Sequence, residues 1–247
     1  MTTQKRGWLV SFGAAFVAVA AAFFVSRPAA PDARAQAVER AGTPPGMVYV
    51  PGGSFLRGAD DPDADGDAEA PARVFVPSFY IDRTEVTNAE FRRFRSSHAF
   101  LPGEELRPVV GVTYDEAAAY ARWAGKRLPT EGEWEKAARG TDGRRYPWGN
   151  AWDPERVAGR VRRGKQAVAK SPNQCNVLVA SRLRPVGSIP AGVSPYGCLD
   201  MAGNAWEWVQ GFYNGNPEQR IIRGGAVGYG ERACRSYVRS IEGAGST

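Results

Sequence analysis

The sequence predicts an α+β domain with little regular secondary structure, and three observations lead there. Its 247 residues include 29 glycines and 18 prolines, more chain-breaking residues than a helical bundle carries. Short alternating runs end in Gly-Gly turns, and only three segments carry helix-start signals. A hydrophobic content of 43% with 11% aromatics is ordinary globular composition, enough for one folded domain and a tail.

The chain divides into three parts. Lys5 and Arg6 precede an uncharged run over 8–25, closed by Ser26-Arg27-Pro28. That length suits a membrane-spanning helix, and the positive flank places the N-terminus in the cytoplasm and the rest outside. An Ala35-Gln36-Ala37 triplet resembles a cleavage site but lies about ten residues beyond the apolar run. Residues 1–27 therefore read as an uncleaved anchor, 28–46 as an Ala/Pro-rich linker, and 47–247 as the domain.

Within the domain, Met47-Val-Tyr-Val reads as a strand running to the Gly52-Gly53 turn, and 73–82 alternates as one strand. Asp61, Asp63, Asp65 and Gly66 imitate the first half of an EF-hand loop. The position that needs a bidentate Glu is Ala72, so a solvated acidic loop is the expectation. Thr87-x-x-Glu90, Thr113-x-x-Glu116 and Thr130-x-x-Glu133 are capping boxes that start three helices. The first runs to about Ser96, and the others stop at Gly125 and Gly140. Beyond them, Tyr146-Pro-Trp-Gly-Asn150 is a rigid aromatic turn, and Arg220-Ile-Ile-Arg223 is a strand ending at Gly224-Gly225.

Charge and cysteine content narrow the chemistry. The net charge of +6 is spread along the chain, densest in basic runs over 156–170 and 220–239, but no nucleic-acid-binding motif accompanies them, so no nucleic-acid partner is expected. Cys175, Cys198 and Cys234 form no Cys-x-x-Cys, and the single His98 excludes a site built from several imidazoles. The stretch 194–208 sets Asp200, Asn204 and Glu207 among glycines and tryptophans, where hard oxygen ligands on a tight turn suit calcium. Strand alternation would send Trp206 and Trp208 to one face and Glu207 to the other.

Read together, Glu85-Val-Thr-Asn, Lys126-Arg-Leu-Pro-Thr-Glu-Gly-Glu-Trp-Glu, Tyr146-Pro-Trp-Gly-Asn, Asp200-Met-Ala-Gly-Asn-Ala-Trp-Glu-Trp and Arg223-Gly-Gly resemble the formylglycine-generating enzyme (sulfatase-modifying factor) family. The resemblance spans residues 47–239. It implies a variant of the C-type lectin fold and one calcium ion, held by the Asp200 and Glu207 side chains and the Gly203 and Ala205 carbonyls. A second calcium site is not expected, because no carboxylate follows Asn176-Val177 before Pro185.

In catalytic members of that family two cysteines after the Gly-Gly turn bind copper. Counted without gaps from Gly224-Gly225, the first position is Tyr229 and the second Cys234. One thiolate holds Cu(I) poorly, so copper is not expected; Cys234 is the single candidate catalytic residue, and a small buried residue is its expected role. Arg232, Arg235 and Arg239 around it would lower its pKa, and with Tyr229 they would form a ligand or docking face. The three-histidine iron site of some relatives is absent, as is a closing strand with Gly-Phe-Arg. The expectation is a non-catalytic, membrane-anchored, extracytoplasmic binding or accessory subunit with a protein partner in a membrane or periplasmic complex. The alternatives are a formylglycine-generating-type oxidoreductase acting on a protein or peptide thiol, and a carbohydrate-binding module.

Overall fold

The computed structural model describes residues 42–62, 68–158 and 182–243. The expected anchor over 8–25, most of the linker, Asp63, Asp65, Gly66, Cys175 and Asn176 lie outside the described residues. Among those described, no helix is long and apolar enough to cross a membrane.

Among the described residues, seven short strands form three small antiparallel sheets. Strand β1 (Met47–Val50) pairs with β4 (Phe79–Asp82), β2 (Gly53–Arg57) pairs with β3 (Ala72–Val76), and β5 (Glu207–Phe212), β6 (Gln219–Arg223) and β7 (Arg239–Gly243) form the third sheet in that order. The alternating run over 73–82 is thus two strands. Pro77 offers no N–H to a ladder and breaks it, so β3 joins β2 at Gly53↔Val76 while β4 turns to β1 at Val50↔Phe79. Strand β7 was not expected. Its five residues lie along β6 from Arg223↔Arg239 to Gln219↔Gly243.

The three α-helices among the described residues are α1 (Asn88–Phe94), α2 (Tyr114–Trp123) and α3 (Glu131–Arg139). Each begins as expected, with a threonine side chain accepting from the backbone N–H of its glutamate and the glutamate returning to the threonine N–H. Gly140, at φ +70°, lets α3 stop where any other residue would be strained. Helix α1 ends at Phe94, two residues before its expected stop.

Helix α3 occupies the centre of the domain. Every residue from Glu133 to Arg139 is buried, charged ones included. Trp134, Ala137 and Ala138 pack with Val50, Cys198, Met201, Val209 and Ile221 in the main core. The polar residues of α3 supply hydrogen bonds that loops cannot make among themselves. Lys136, 1% exposed, donates from Nζ to the carbonyls of Pro51 at 2.6 Å and Gly53 at 3.0 Å. Arg139 donates to the carbonyls of Gly58, Gly143 and Arg144.

Burial pulls the Lys136 ammonium from its ordinary 10.5 down to about 8. Between those values the unfolded chain binds the proton and the folded one does not, so this group raises stability as pH climbs. Urea denaturation should show the wild type gaining on the order of 2–3 kcal/mol over a Lys136→Met variant between about pH 8 and 10.5. A constant difference across that window would mean that the ammonium titrates normally.

Candidate functional site

The segment 200–208 folds as a tight loop feeding β5. Asp200 and Asn204 both adopt left-handed backbone (φ +60° and +58°), and Gly203 between them lies at +91°. A Cβ on Gly203 would come within 2.4 Å of Val157, so only glycine fits there. Gly203 N–H bonds Gly224 O, Asn204 N–H bonds Ala158 O, and Val227 N–H bonds Asn204 O, which clamps the loop to the Gly224-Gly225 turn. Asn204 is fully buried, and its Oδ1 accepts from Arg184 N–H at 3.0 Å.

This loop gathers carboxylates. Asp200 Oδ2 accepts the Gly187 N–H at 2.5 Å, while its buried Oδ1 has no hydrogen-bond partner. Glu207 Oε2 accepts the indole N–H of Trp134 at 2.9 Å. Glu85, from the segment between β4 and α1, accepts from Ala205 N–H and from Asn204 Nδ2, each at 3.3 Å. Removal from water, with Asp200 and Glu207 nearby, holds Glu85 well above the ordinary carboxylate range. Burial pushes Glu207 up to about 7 and also raises Asp200. Among the described residues no three Asp, Glu, His or Cys side chains converge as a metal-ligand group. A cation in this loop would therefore rest on two carboxylates, Asp200 and Glu207, with backbone carbonyls such as those of Gly203 and Ala205. The unpartnered Asp200 oxygen fits that donor set.

Above the loop opens a cleft of about 820 Å³, floored by 204–208 and walled by β4, by 108–112 and by α2. Trp206, Glu207 and Trp208 all line it, so the expected separation of the carboxylate from the tryptophans does not occur. The strand begins only at Glu207. Trp206 packs edge-to-face on Tyr229 at 5.3 Å, and Trp208 packs on Tyr114 at 5.9 Å with its indole N–H on Val112 O.

Tyr229 stands at the cleft, but the residues expected beside it go elsewhere. Cys234 is fully buried, its sulfur against Gly225, and does not line the cleft. Burial, with Glu231 nearby, pushes its thiol up to about 12, the reverse of the lowering expected from neighbouring arginines. Those arginines serve other groups. Arg235 pairs with Asp61 at 2.5 Å and Arg239 with Glu69 at 3.0 Å, both arginines buried, and only Arg232 is exposed. Tyr229, Arg232, Arg235 and Arg239 therefore do not form one docking face. Asp61, which also accepts the Tyr237 hydroxyl, is an internal counter-ion and not part of a solvated loop.

The residue that sequence reasoning undervalued is Glu85. It was visible only inside the Glu85-Val-Thr-Asn motif, next to a capping threonine, and nothing local in the sequence points it at a loop 119 residues away.

A loop-rich α+β domain with a buried acidic loop beneath a broad cleft defines the class. A model of the sulfatase-modifying factor enzyme 1-like domain matches residues 32–247, and the chain belongs to that family. It is 34% identical over 237 residues to inactive C-alpha-formylglycine-generating enzyme 2 of Mus musculus, covering 73% of each chain. It is 30% identical over 276 residues to the formylglycine-generating enzyme of Thermomonospora curvata, covering 78% of this chain and 86% of that one. Among solved structures, PvdO of Pseudomonas aeruginosa superposes with a TM-score of 0.62 at 25% identity, over 81% of this chain and 89% of its own.

The burial of Cys198 and Cys234 has a direct readout. In a Cys175→Ser protein, Ellman's reagent should titrate almost no thiol until denaturant is added, when two should react. Rapid reaction of Cys234 in the native protein would contradict the burial described.

Proposed function

We propose that the chain is a non-catalytic member of its family, a membrane-anchored, extracytoplasmic domain acting as a binding or accessory subunit of a membrane or periplasmic complex. The fold would be the family's C-type-lectin-like variant. One observation carries the reading: the cleft presents Tyr229 where the family pattern places the first thiolate, and Cys234 is fully buried and does not line the cleft. Two-thiolate copper chemistry has no thiolate at this opening. The name of the mouse relative, which calls that protein inactive, points the same way. Localisation and anchoring rest on the apolar run over 8–25 and its basic flank.

Incubating the purified protein with Cu(I), oxygen and a cysteine-containing sulfatase peptide should yield no peptide aldehyde, and Cu(I) should not bind stoichiometrically. Aldehyde formation that disappears in Cys234→Ser would establish instead the alternative, a formylglycine-generating-type oxidoreductase acting on a peptide thiol.

The second part of the proposal is one calcium ion at Asp200 and Glu207, with the Gly203 and Ala205 carbonyls. Bound there, it would neutralise carboxylates that burial holds apart from any counter-charge and fasten the loop to β5; its role is structural. An ion held only by the folded state stabilises by mass action, about 2.7 kcal/mol at a hundred times its Kd. Chelation is expected to lower the melting temperature, and Asp200→Asn or Glu207→Gln to remove the calcium response. Identical melting of wild type and both variants with and without chelator would refute the site.

A further inference from the structure

We propose that the face around the C-terminal ends of α1 and α2, where Trp123 stands among Arg83, Arg93 and Arg122, rests on an anionic lipid surface. This builds on reading the chain as membrane-anchored and adds which side of the domain meets the bilayer.

The face forms beside the point where the linker enters the domain. Gly46 O accepts the Arg83 N–H at 2.9 Å, and Met47 lies opposite Asp82 in the β1–β4 pair. Asp82 in turn holds Lys126, just past the end of α2, at 2.6 Å. Trp123, the last residue of α2, packs on Tyr120 and on Phe94, the last residue of α1, with ring centroids 5.8 Å apart in each case. The two helices therefore end side by side, and their last turns carry Arg92, Arg93 and Arg122.

Two properties single this face out. Its tryptophan remains 51% exposed although it has aromatic neighbours, and an indole packed on one side and free on the other suits the boundary between lipid headgroups and chains. Its positive charge is also uncommitted. Lys126 and Arg127 are matched by Asp82 and Glu133, and Glu90 is turned onto the Thr87 cap, whereas the exposed Arg83, Arg93 and Arg122 form no ion pair among the described residues. Arg223, Arg235 and Arg239, by contrast, are buried against carboxylates.

Tethering alone does not choose a face. The nineteen residues of 28–46 reach about 65 Å when extended, long enough to present any side of the domain. Charge decides instead, since each cation near an anionic surface favours docking about fivefold and three favour it on the order of a hundredfold. A protein interface would ask for a broader apolar centre with charge at its rim, whereas here a single tryptophan is surrounded by arginines. Tyr120, Lys126 and Arg127 also line the cleft, so its opening would stand beside the bilayer, within reach of a partner in the membrane.

Quenching of tryptophan fluorescence by lipids with brominated chains reads this contact, and comparison with a Trp123→Phe protein isolates the one indole. With the full-length protein reconstituted in vesicles containing phosphatidylglycerol, the wild type should lose more fluorescence than Trp123→Phe. The excess should vanish in phosphatidylcholine alone, and in Arg93→Gln/Arg122→Gln the ratio of docked to undocked domain should fall roughly thirtyfold. Both arginines are exposed, so neither change threatens folding. Equal quenching of wild type and Trp123→Phe would overturn the proposal, as would an excess that persists without anionic lipid. Shielding of Trp123 from acrylamide that grows with protein concentration, alike in both vesicles, would overturn it too and would assign the face to a second copy of this chain.

Alkaline carbonate extraction of the same vesicles separates this inference from the anchor. Protein that resists extraction but shows no excess quenching would sink only the lipid-facing surface. Protein that washes off, yet shows the excess when vesicles are added back, would sink only the anchor.

Discussion

Glu135 sits on the buried helix α3 between two guanidinium groups that water does not reach. Its Oε1 accepts from Arg139 at 2.9 Å and from Gly58 N–H at 2.7 Å, and its Oε2 pairs with Arg223 at 2.5 Å. Arg223 in turn donates to Tyr237 O at 3.0 Å, and Arg139 to Gly58 O at 2.8 Å. One carboxylate thereby ties the hairpin of β2 and β3, helix α3, strand β6 and the segment before β7 to a single point. Such a pair adds little net stability compared with a hydrophobic substitute of the same shape. Breaking it from one side is costly, about 3–5 kcal/mol, because the remaining charge stays buried. Its value is in fixing one arrangement of loops that propensity alone would leave open.

The acidic loop is fastened to the same helix. Trp134, adjacent to Glu135, sends its indole N–H to Glu207, and the Arg223 guanidinium lies 5.3 Å from the Trp134 ring. Arg223 immediately precedes the Gly224-Gly225 turn that receives the Gly203 N–H. The floor of the cleft is therefore set by α3 through two routes, one through a side chain and one through backbone. Displacing α3 would loosen the floor and the sheet together.

Local signals in the sequence account for what was legible. Three capping boxes start three helices because their hydrogen bonds close within four residues, and Gly140 ends α3 because its φ is positive. The motif order placed the acidic loop and the Gly-Gly turn in one family, and the structure packs them together. What the sequence concealed was long-range pairing. Arg235 and Arg239 read as a basic surface beside Cys234, yet their partners are Asp61 and Glu69, some 170 positions away. The strand break at Pro77 was readable from proline's missing donor, but the alternation on either side masked it. Glu85 was hidden behind a capping motif that explains its neighbour Thr87 and not itself.

The destination of those arginines also explains the character of the cleft. The basic run over 220–239 could have neutralised the acids around the acidic loop. Instead Arg223 goes to Glu135, Arg235 to Asp61, Arg239 to Glu69, and Arg220 is held between the rings of Tyr114 at 3.9 Å and Phe212 at 4.1 Å. The cations are thus spent on holding loops together, while burial raises Glu85, Asp200 and Glu207 above the ordinary carboxylate range.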